Sequence, residues 1–380
     1  MTSEQSTAPV NVLGLPAAQL REFVEVLGEP GYRGTQIYHA LYAERKFDFA
    51  EMTSLPAALR EKLAREATIA MPKIVRRHLS SDGTVRYVLA LDLQTAGGAT
   101  RGPASGRTPK QANIETVFMP EENRQTICIS TQAGCAVDCR FCLTATLGLV
   151  RNLAAGEIVG EVLVALEDNR AALKPQTNIV LMGQGEPMLN YDAVIAALGI
   201  LLDPKGVAIA PRHAALSTSG IVPGIERLAQ EKVRPNLAIS LNASSNEQRD
   251  QIMPINRKYP LEKLLEACRK FPLKTREWLL FEYVLLGGFN DSPEDARRVV
   301  RLLSGVRAKV NLIPWNPGAL PFHRPERSRV EEFQKILVEK GVLTFVRDSR
   351  GQDVMAACGQ LALSEATLAA AQVAQDEPRT

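Results

Sequence analysis

The sequence predicts an α/β fold in which an incomplete (β/α)6 barrel follows an N-terminal helical domain. In the first 70 residues, apolar side chains recur at three- and four-residue steps, which is typical of amphipathic helices. Beyond residue 120, short runs rich in Val, Ile and Leu alternate with amphipathic helical stretches, which indicates a parallel sheet with right-handed crossovers. Polar segments follow four of these runs, at the end of the sheet where β/α barrels place their chemistry.

Length and composition are those of an ordinary globular protein. The chain has 380 residues, 45% of them apolar and 23% charged, which suffices for one large domain with an appendage or for two domains. The formal net charge of +3 is too small to identify a nucleic-acid partner by itself. The N-terminus is polar, and no apolar run approaches the ~18 residues of a membrane span. We therefore expect a cytoplasmic protein with no membrane partner.

Residues 1–72 are expected to form the N-terminal helical domain. Gly28, Pro30 and Pro56 punctuate its helical stretches. Helical modules of this kind grip nucleic acid in some proteins and only pack against their neighbours in others. The residues alone leave both roles open.

Residues 73–120 change to a two-residue period and are expected to form a β-hairpin region. An Asp82-Gly83 turn connects its first two β-rich runs. A stretch at about 95–113 is rich in Gly, Ala, Thr, Ser and Pro, which predicts a mobile insertion. The next strand, Ile114–Met119, is expected to bring Glu115 toward a cysteine-containing loop.

Residues 121–365 are expected to form the barrel, with residues 366–380 as a disordered tail. Six strands are predicted, each an apolar or β-branched run followed by a helical stretch. The predicted strands are Thr126–Ser130, Ile179–Met182, Ala214–Ser217, Leu237–Ser240, Trp278–Leu285 and Lys309–Ile313.

The loop after the first barrel strand contains three cysteines, Cys135, Cys139 and Cys142, in the spacing C-x3-C-x2-C. A structural zinc site needs four ligands, and the sequence has no second C-x2-C pair. A [4Fe–4S] cluster held by three thiolates leaves one iron open to a substrate or cofactor. The alternative is three reduced cysteines packed as small apolar residues, but Asp138 and Arg140 make the loop too polar for a core segment. The sequence therefore favours a cluster.

Polar residues follow four of the predicted strands. The segments are Gly183–Pro187, Ser217–Gly220, Ser240–Asn242 and Pro314–Asn316. Each of them alone is compatible with a simple turn. Because the carboxyl ends of parallel strands meet at one edge of a sheet, the four together predict a binding site beside the cysteine loop.

The cysteine spacing resembles that of the radical S-adenosylmethionine (SAM) superfamily, and almost the whole chain resembles the RlmN-type ribosomal RNA adenine-C2 methyltransferases. A cysteine near the C-terminus is the most diagnostic feature, because an ordinary radical SAM enzyme needs none there. The matching motifs are IETV at 114–117, GCAVDCRFC at 134–142, MGQGEP at 182–187, LSTSG at 216–220, AISLN at 238–242, NLIP at 311–314 and RGQDVMAACGQL at 350–361.

The resemblance implies a role for individual residues. Cys135, Cys139 and Cys142 hold one [4Fe–4S] cluster per chain. Cys358 carries a methyl group, Cys128 is the resolving cysteine and Glu115 is the base. The implied SAM contacts are Gly185, Glu186, Ser217, Ser240, Leu241, Asn242 and Asn316.

The implied reaction is methylation of C2 of an adenosine in 23S ribosomal RNA and in the anticodon loop of some tRNAs. Adenine C2 lies between two ring nitrogens and is electron-poor, so it does not attack the methyl group of SAM directly. The resemblance implies an S-methylcysteine intermediate, a transient disulfide and two SAM molecules per turnover. It also implies an electron donor such as flavodoxin or ferredoxin and a thiol reductant.

Two alternatives stay open on the sequence. The Cfr-type relatives methylate C8 of adenosine, and the shared motifs do not separate the two positions. A non-catalytic iron–sulfur protein that binds RNA or transfers electrons is the other alternative, but it does not explain Cys358. The chain also departs from the family pattern, because Asn242 stands where many relatives have His and the insertion after the Gly83 turn is longer than expected.

Overall fold

The computed structural model describes residues 9–92, 111–347 and 349–362. The expected tail at 366–380 and residues 95–110 of the expected insertion lie outside the described residues. Within the described ranges, no helix is long and apolar enough to cross a membrane.

The N-terminal module consists of β1 (Val10–Asn11), α1 (Ala17–Val26), α2 (Tyr32–Tyr38), α3 (Ala57–Glu66) and β2 (Ala67–Thr68). The two short strands pair in parallel and join the start of the module to its end. The module packs against the barrel, because the backbone at Gly14 approaches Gly156 so closely that a Cβ on Gly14 would lie 2.3 Å from the Gly156 nitrogen. Tyr38 also donates a 2.9 Å hydrogen bond to Asp203 of the barrel.

Three antiparallel strands follow, β3 (Lys73–Leu79), β4 (Val85–Asp92) and β5 (Gln111–Pro120). The predicted turn joins β3 to β4. Asp82 accepts a 2.9 Å hydrogen bond from the Thr84 amide there, and Gly83 has a positive φ. Residues 111–113, which we expected in the mobile insertion, instead pair with β4 and extend the strand that carries Glu115.

The barrel region alternates strands with helices. Its elements are β6 (Arg124–Cys128), β7 (Gln132–Gly134), α4 (Leu143–Thr146), β8 (Leu149–Asn152), α5 (Ala155–Asp168), β9 (Gln176–Leu181), α6 (Tyr191–Leu201), β10 (Ala214–Thr218), α7 (Val222–Leu228), β11 (Asn236–Ser240), α8 (Asn246–Ile252), α9 (Leu261–Lys270), β12 (Leu279–Leu285), α10 (Pro293–Leu302), β13 (Ala308–Pro314), α11 (Arg327–Glu339) and β14 (Leu343–Val346).

Ten of the described strands form one sheet in the order β14-β13-β12-β11-β10-β9-β6-β5-β4-β3. Seven strands of this sheet, β6 and β9 to β14, are parallel, and each of the first six is followed by a helix. This confirms the incomplete (β/α)6 barrel that the sequence predicts. The seventh parallel strand, β14, was not predicted, because it is a short edge strand whose Leu343 and Phe345 are exposed. The strands β3–β5 extend the same sheet.

The C-terminal segment, residues 349–362, crosses the open side of the barrel. At one end, the Arg350 guanidinium donates to the carbonyl oxygen of Asp82 at 2.7 Å, in the β3–β4 turn. At the other end, the Leu143 amide donates to the Gly359 carbonyl at 2.8 Å, beside the cysteine loop. The segment is thus held at both ends, and this fixes the position of Cys358.

Candidate active site

A cavity of about 170 Å³ lies at the carboxyl ends of the parallel strands. We call it the upper cavity. The residues that the sequence predicted for a site converge here from the cysteine loop, four strand ends and the C-terminal segment. Those that line it are Cys135, Cys139, Cys142, Gly185, Glu186, Ser217, Ser240, Asn242, Asn316 and Cys358.

Backbone hydrogen bonds hold the cysteine loop. The antiparallel pair β7–β8 forms its base, and the Cys135 amide donates to the Gly148 carbonyl at 3.0 Å. Gly134 just before it has a φ of 75°, and a Cβ there would lie 1.8 Å from the same carbonyl oxygen, so the close approach requires glycine. The Cys142 amide donates to the Cys139 carbonyl at 3.1 Å, which turns both side chains toward the cavity.

The three cysteines fit a [4Fe–4S] cluster. Burial raises the pKa of Cys135 to about 11 and raises the pKa of Cys139 and of Cys142, so each thiolate is costly in the protein alone. Iron stabilises thiolates, and each thiolate of a cluster binds a different iron. Among the described residues, no group of three or more His, Cys, Asp or Glu side chains is placed to hold a single metal ion. Three thiols on one wall of a cavity match the donor set of a cluster with an open iron.

The Gly183–Pro187 turn places Glu186 in the upper cavity. Gly185 has a φ of 99° and lies against Gln132, where a Cβ would be 2.6 Å from the Gln132 Cβ. The Glu186 carboxylate accepts hydrogen bonds from the amides of Met188 at 3.1 Å and Ser219 at 2.6 Å. Burial raises the pKa of Glu186, and these hydrogen bonds oppose the rise. A carboxylate in this position can accept from the ammonium group of a ligand.

Asn242 lies at the end of β11 and lines the upper cavity. Its φ is 57°, in the left-handed region that asparagine adopts more readily than most residues. Its side chain accepts from the Val284 amide at 2.9 Å and thereby links β11 to β12. Leu241, the neighbouring SAM contact that the family implies, is fully buried and does not line the cavity. Its backbone amide instead donates to the Glu282 carbonyl at 2.9 Å.

Arg249 of α8 is fully buried and binds the ends of β10 and β11. Its guanidinium donates to the carbonyl oxygens of Ser219 at 2.7 Å, Ser240 at 2.9 Å and Leu241 at 3.0 Å. Burial lowers the pKa of Arg249 to about 10. A single side chain of α8 therefore ties the ends of β10 and β11 together.

Asn316 connects the last strand end to the C-terminal segment. Its Nδ2 donates to the Cys358 carbonyl oxygen at 3.2 Å. Its Oδ1 is buried and has no hydrogen-bond partner among the described residues. Because an unpartnered buried acceptor costs free energy, this oxygen is suited to receive a hydrogen bond from a ligand in the upper cavity.

Below the upper cavity, a second cavity of about 600 Å³ occupies the inside of the barrel. We call it the lower cavity. Cys142, Glu282 and Cys358 line both cavities, whereas Cys128 lines only the lower one. Four arginines also line the lower cavity: Arg124, Arg212, Arg347 and Arg350. Arg124 is paired with Glu121 and Arg350 with Asp82, whereas Arg212 and Arg347 have no ion-pair partner among the described residues and are suited to phosphate groups.

The structure brings Cys128 and Cys358 into one neighbourhood, at the lower cavity. Cys128 is 8% exposed and packs with Ala356 of the C-terminal segment. Cys358 is exposed, but to the interior of the cavities rather than to the outer surface, so burial among protein atoms still raises its pKa to about 11. Burial raises the pKa of Cys128, and the nearby Cys358 adds to the rise. Two thiols in one cavity are suited to exchange through a disulfide.

The structure does not bring Glu115 to either cavity. Its side chain is fully buried and accepts from Arg86 at 2.7 Å and from Gln184 at 3.2 Å. Gln184 lies between two residues of the cavity wall, Gly183 and Gly185. The predicted base is therefore one side chain away from the cavity and is bound to an arginine.

Sequence reasoning missed Glu282 on β12. This carboxylate is 8% exposed and accepts from the Asn311 side chain at 3.0 Å. Burial raises its pKa to about 7. The signal was present in the sequence, because a glutamate within the apolar strand LLFEYVL is rarely buried without a reason.

Comparisons with known proteins agree with this site. A model of the radical SAM superfamily matches residues 129–303, and a model of the ribosomal RNA large subunit methyltransferase N-terminal domain matches residues 10–69. A dual-specificity RNA methyltransferase RlmN from Anaeromyxobacter dehalogenans is 45% identical over 92% of this chain and 90% of that protein. The protein of the same name from Geobacter sulfurreducens is 44% identical over 93% of this chain and 92% of that protein. The crystal structure of a radical SAM methyltransferase from Sphaerobacter thermophilus is 41% identical and has a TM-score of 0.83, over 93% of this chain and 99% of that chain.

Proposed function

The chain belongs to the RlmN family of dual-specificity RNA methyltransferases, within the radical SAM superfamily, and we propose that it methylates C2 of an adenosine in 23S ribosomal RNA and in the anticodon loop of some tRNAs. The observation that carries the proposal is the position of Cys358. Its sulfur lies where the upper cavity, with the cluster cysteines, meets the lower cavity, with Cys128. A cysteine in this position can receive a methyl group on one side and pass it to a base on the other.

Membership of the radical SAM superfamily implies a [4Fe–4S] cluster and SAM. We propose one cluster per chain, held by Cys135, Cys139 and Cys142, and two SAM molecules per turnover. When bound, the cluster supplies the electron for SAM cleavage and thus the 5′-deoxyadenosyl radical. Glu186 and Asn316 present an acceptor carboxylate and an unpartnered amide oxygen to the same cavity, which suits the amino group and other donors of SAM.

Cys358 has two tasks in this proposal. It first takes a methyl group from one SAM molecule by displacement. After a hydrogen atom is removed from the S-methyl group, the carbon radical adds to C2 of the adenine, and Cys358 is then covalently joined to the RNA. The adduct next gives up one electron, which the oxidised cluster would accept, and its C2 proton. The hydrogen bonds from the Leu143 amide to Gly359 and from the Asn316 side chain to the Cys358 carbonyl fix the backbone here and keep the sulfur in place during both steps.

Cys128 and Glu115 complete the proposed reaction. The Cys128 thiol loses its proton and attacks the Cys358 sulfur. The carbon–sulfur bond breaks with its electron pair on the carbon, which takes up a proton to become the methyl group, and a disulfide is left. An external thiol reductant then restores both thiols, and an external electron donor such as flavodoxin or ferredoxin reduces the cluster. For Glu115 to act as the base that takes the C2 proton, the Gln184 side chain must move or relay the proton, because Glu115 lines neither cavity.

The RNA must deliver an unstacked base, because the two cavities lie inside the barrel. We propose that the flipped adenosine enters the lower cavity, with its phosphates near Arg212 and Arg347. The N-terminal module is proposed to contribute RNA affinity. It matches the N-terminal domain of large-subunit ribosomal RNA methyltransferases and lies outside both cavities.

The test is anaerobic turnover on a 23S ribosomal RNA fragment. Reconstituted enzyme, SAM and dithionite should yield 5′-deoxyadenosine and 2-methyladenosine, both measured by liquid chromatography and mass spectrometry. Cys358→Ala should keep its iron and form no methylated base. The appearance of 8-methyladenosine would favour the Cfr-type reaction, and the absence of both products would favour a non-catalytic iron–sulfur protein.

A further inference from the structure

Glu282 is a buried carboxylate for which the proposed reaction so far has no use. It points into the barrel from β12, opposite Asn311 of β13 in the sheet register. The Asn311 side chain donates to its Oε1 at 3.0 Å, and among the described residues no donor to Oε2 is found. One oxygen is therefore fixed, and the other is available in the cavities that this residue lines.

Glu282 and Cys358 share their surroundings. Both line the upper and the lower cavity, at the place where the two meet. After burial, the Glu282 carboxylate is the largest influence that raises the pKa of Cys358. The other charged or titratable groups that act on this pair are Arg347, which favours both anions, and Cys142. Among the described residues, no hydrogen bond joins the two side chains, so the carboxylate is placed to take the thiol proton through a water in the cavities that both residues line.

The Cys358 thiol needs such an acceptor. Burial raises the pKa of Cys358 to about 11, so the thiol rather than the more nucleophilic thiolate is the main form near neutral pH. A carboxylate whose pKa is about 7 is well matched to accept a proton near neutral pH.

We propose that Glu282 accepts the proton of Cys358 while this cysteine is methylated. The Cys358 sulfur forms a bond to the methyl carbon as the bond between that carbon and the SAM sulfonium breaks, and the electron pair stays on the departing sulfur of S-adenosylhomocysteine. The S–H proton goes to the Glu282 carboxylate, which later releases it to solvent in the lower cavity. The inference rests on the proposed function of Cys358.

Two other buried carboxylates are less suited to this task. Glu115 is bound to Arg86 and lines neither cavity. Glu186 lines the upper cavity, but its two oxygens already accept from the amides of Met188 and Ser219. Glu282 alone combines contact with both cavities and an oxygen without a donor among the described residues.

The methylation of Cys358 can be measured without the radical steps. Reconstituted enzyme is mixed with SAM anaerobically and without a reductant, quenched in acid, and digested for mass spectrometry of the Cys358 peptide. At saturating SAM and pH 7.5, Glu282→Gln should lower the rate about 10²-fold. Above pH 8, its rate should rise about tenfold per pH unit as thiolate forms directly, whereas the parent should be flat above about pH 7.

Two further variants make the test specific. Glu161→Gln replaces a buried carboxylate that accepts from the Ser130 amide and lines neither cavity, so its methylation rate should stay within about twofold of the parent. Glu282→Asp retains a base and should be at least tenfold faster than Glu282→Gln. Iron content is measured for each variant, and SAM binding is measured by equilibrium dialysis. These controls distinguish a rate lowered by loss of the base from a rate lowered by loss of the cluster or of SAM binding.

The outcomes separate this inference from the function on which it rests. A parent enzyme that never methylates Cys358 would overturn the proposed function and the inference together. A parent that methylates Cys358 while Glu282→Gln does so at an equal rate would overturn the inference alone. An aspartate variant no faster than the glutamine variant would also overturn it.

Discussion

Strands β5 and β12 each carry a buried glutamate, and the two carboxylates have different hydrogen-bond partners. We call the surroundings of Glu115 the β5 wall and those of Glu282 the β12 wall. The β5 wall has Glu115, which is bound to Arg86 and Gln184 outside both cavities. The β12 wall has Glu282, which has only the neutral Asn311 side chain as a hydrogen-bond donor among the described residues and lines both cavities. Both residues are glutamates within strands of one sheet. The two glutamates differ in the charge of the side chain that donates to them, which is a cation for Glu115 and a neutral amide for Glu282.

A cation beside a buried carboxylate stabilises its charged form, whereas burial without one favours the neutral form. On the β5 wall, the pair with Arg86 holds the position of Glu115 and ties β4 to β5. On the β12 wall, the pKa of Glu282 lies at about 7, so this carboxylate exists in both forms near neutral pH. We therefore expect the first wall to respond to substitution mainly in stability and the second mainly in proton transfer.

The largest expected effect follows from breaking the pair on the β5 wall. Arg86→Met removes a buried cation that is hydrogen-bonded to Glu115, and this should lower the free energy of unfolding by about 3–5 kcal/mol. Urea unfolding followed by circular dichroism measures the change. The double variant Arg86→Met, Glu115→Leu should recover most of the loss, because no buried charge is left unpaired. A loss below about 1 kcal/mol in the single variant would mean that the pair does not hold this wall.

An intermediate effect is expected from the pH dependence of stability on the β12 wall. Because burial raises the pKa of Glu282 from 4.5 to about 7, the folded state binds more protons than the unfolded state between these two pH values. Stability of the parent should therefore fall as pH rises through this window, and Glu282→Gln should not share that part of the fall. The difference in free energy of unfolding should shift in favour of the variant by up to about 3 kcal/mol between pH 4.5 and 8. A difference independent of pH would show that Glu282 does not titrate in this way.

The smallest effect is expected from a substitution on the β5 wall when the rate of Cys358 methylation is measured. Glu115→Gln should change the rate of Cys358 methylation by less than about twofold, because Glu115 lines neither cavity and the SAM-dependent first step does not need it. The same peptide assay by mass spectrometry measures this rate. A loss similar to that of Glu282→Gln would place the base for the first step on the β5 wall and would remove the distinction between the two walls.

Much of this site could be predicted from the sequence because many of its residues lie close together in short motifs. The spacing of Cys135, Cys139 and Cys142 and the polar strand ends follow from short motifs, and a parallel sheet brings such ends to one edge. The roles of Cys358 and Cys128 came from resemblance to a family, and the structure adds that both line the lower cavity.

The remainder depends on side chains that are distant in sequence. Nothing in the motif around Glu115 indicates Arg86 as its partner, since the pair forms only when β4 and β5 align. Glu282 and Asn311 meet through the β12–β13 register in the same way. The edge strand β14 was missed because its four residues alternate too briefly to be distinguished from a loop.

A protein–RNA adduct in the Cys128→Ala variant tests the role of Cys358 most directly. This variant can still be methylated at Cys358 and add to adenine, but it has no thiol to attack the sulfur and release the product. With SAM, dithionite and a labelled 23S ribosomal RNA fragment, it should form an adduct that survives denaturation and resists reductant, because a thioether rather than a disulfide joins the two. Mass spectrometry should locate the bond at Cys358.

The control for this measurement is the double variant Cys128→Ala, Cys358→Ala, which should form no adduct and should keep its iron. We expect the adduct in the single variant and no adduct in the double variant. Turnover of Cys128→Ala at the parental rate with no retained RNA, or an adduct that persists without Cys358, would contradict it.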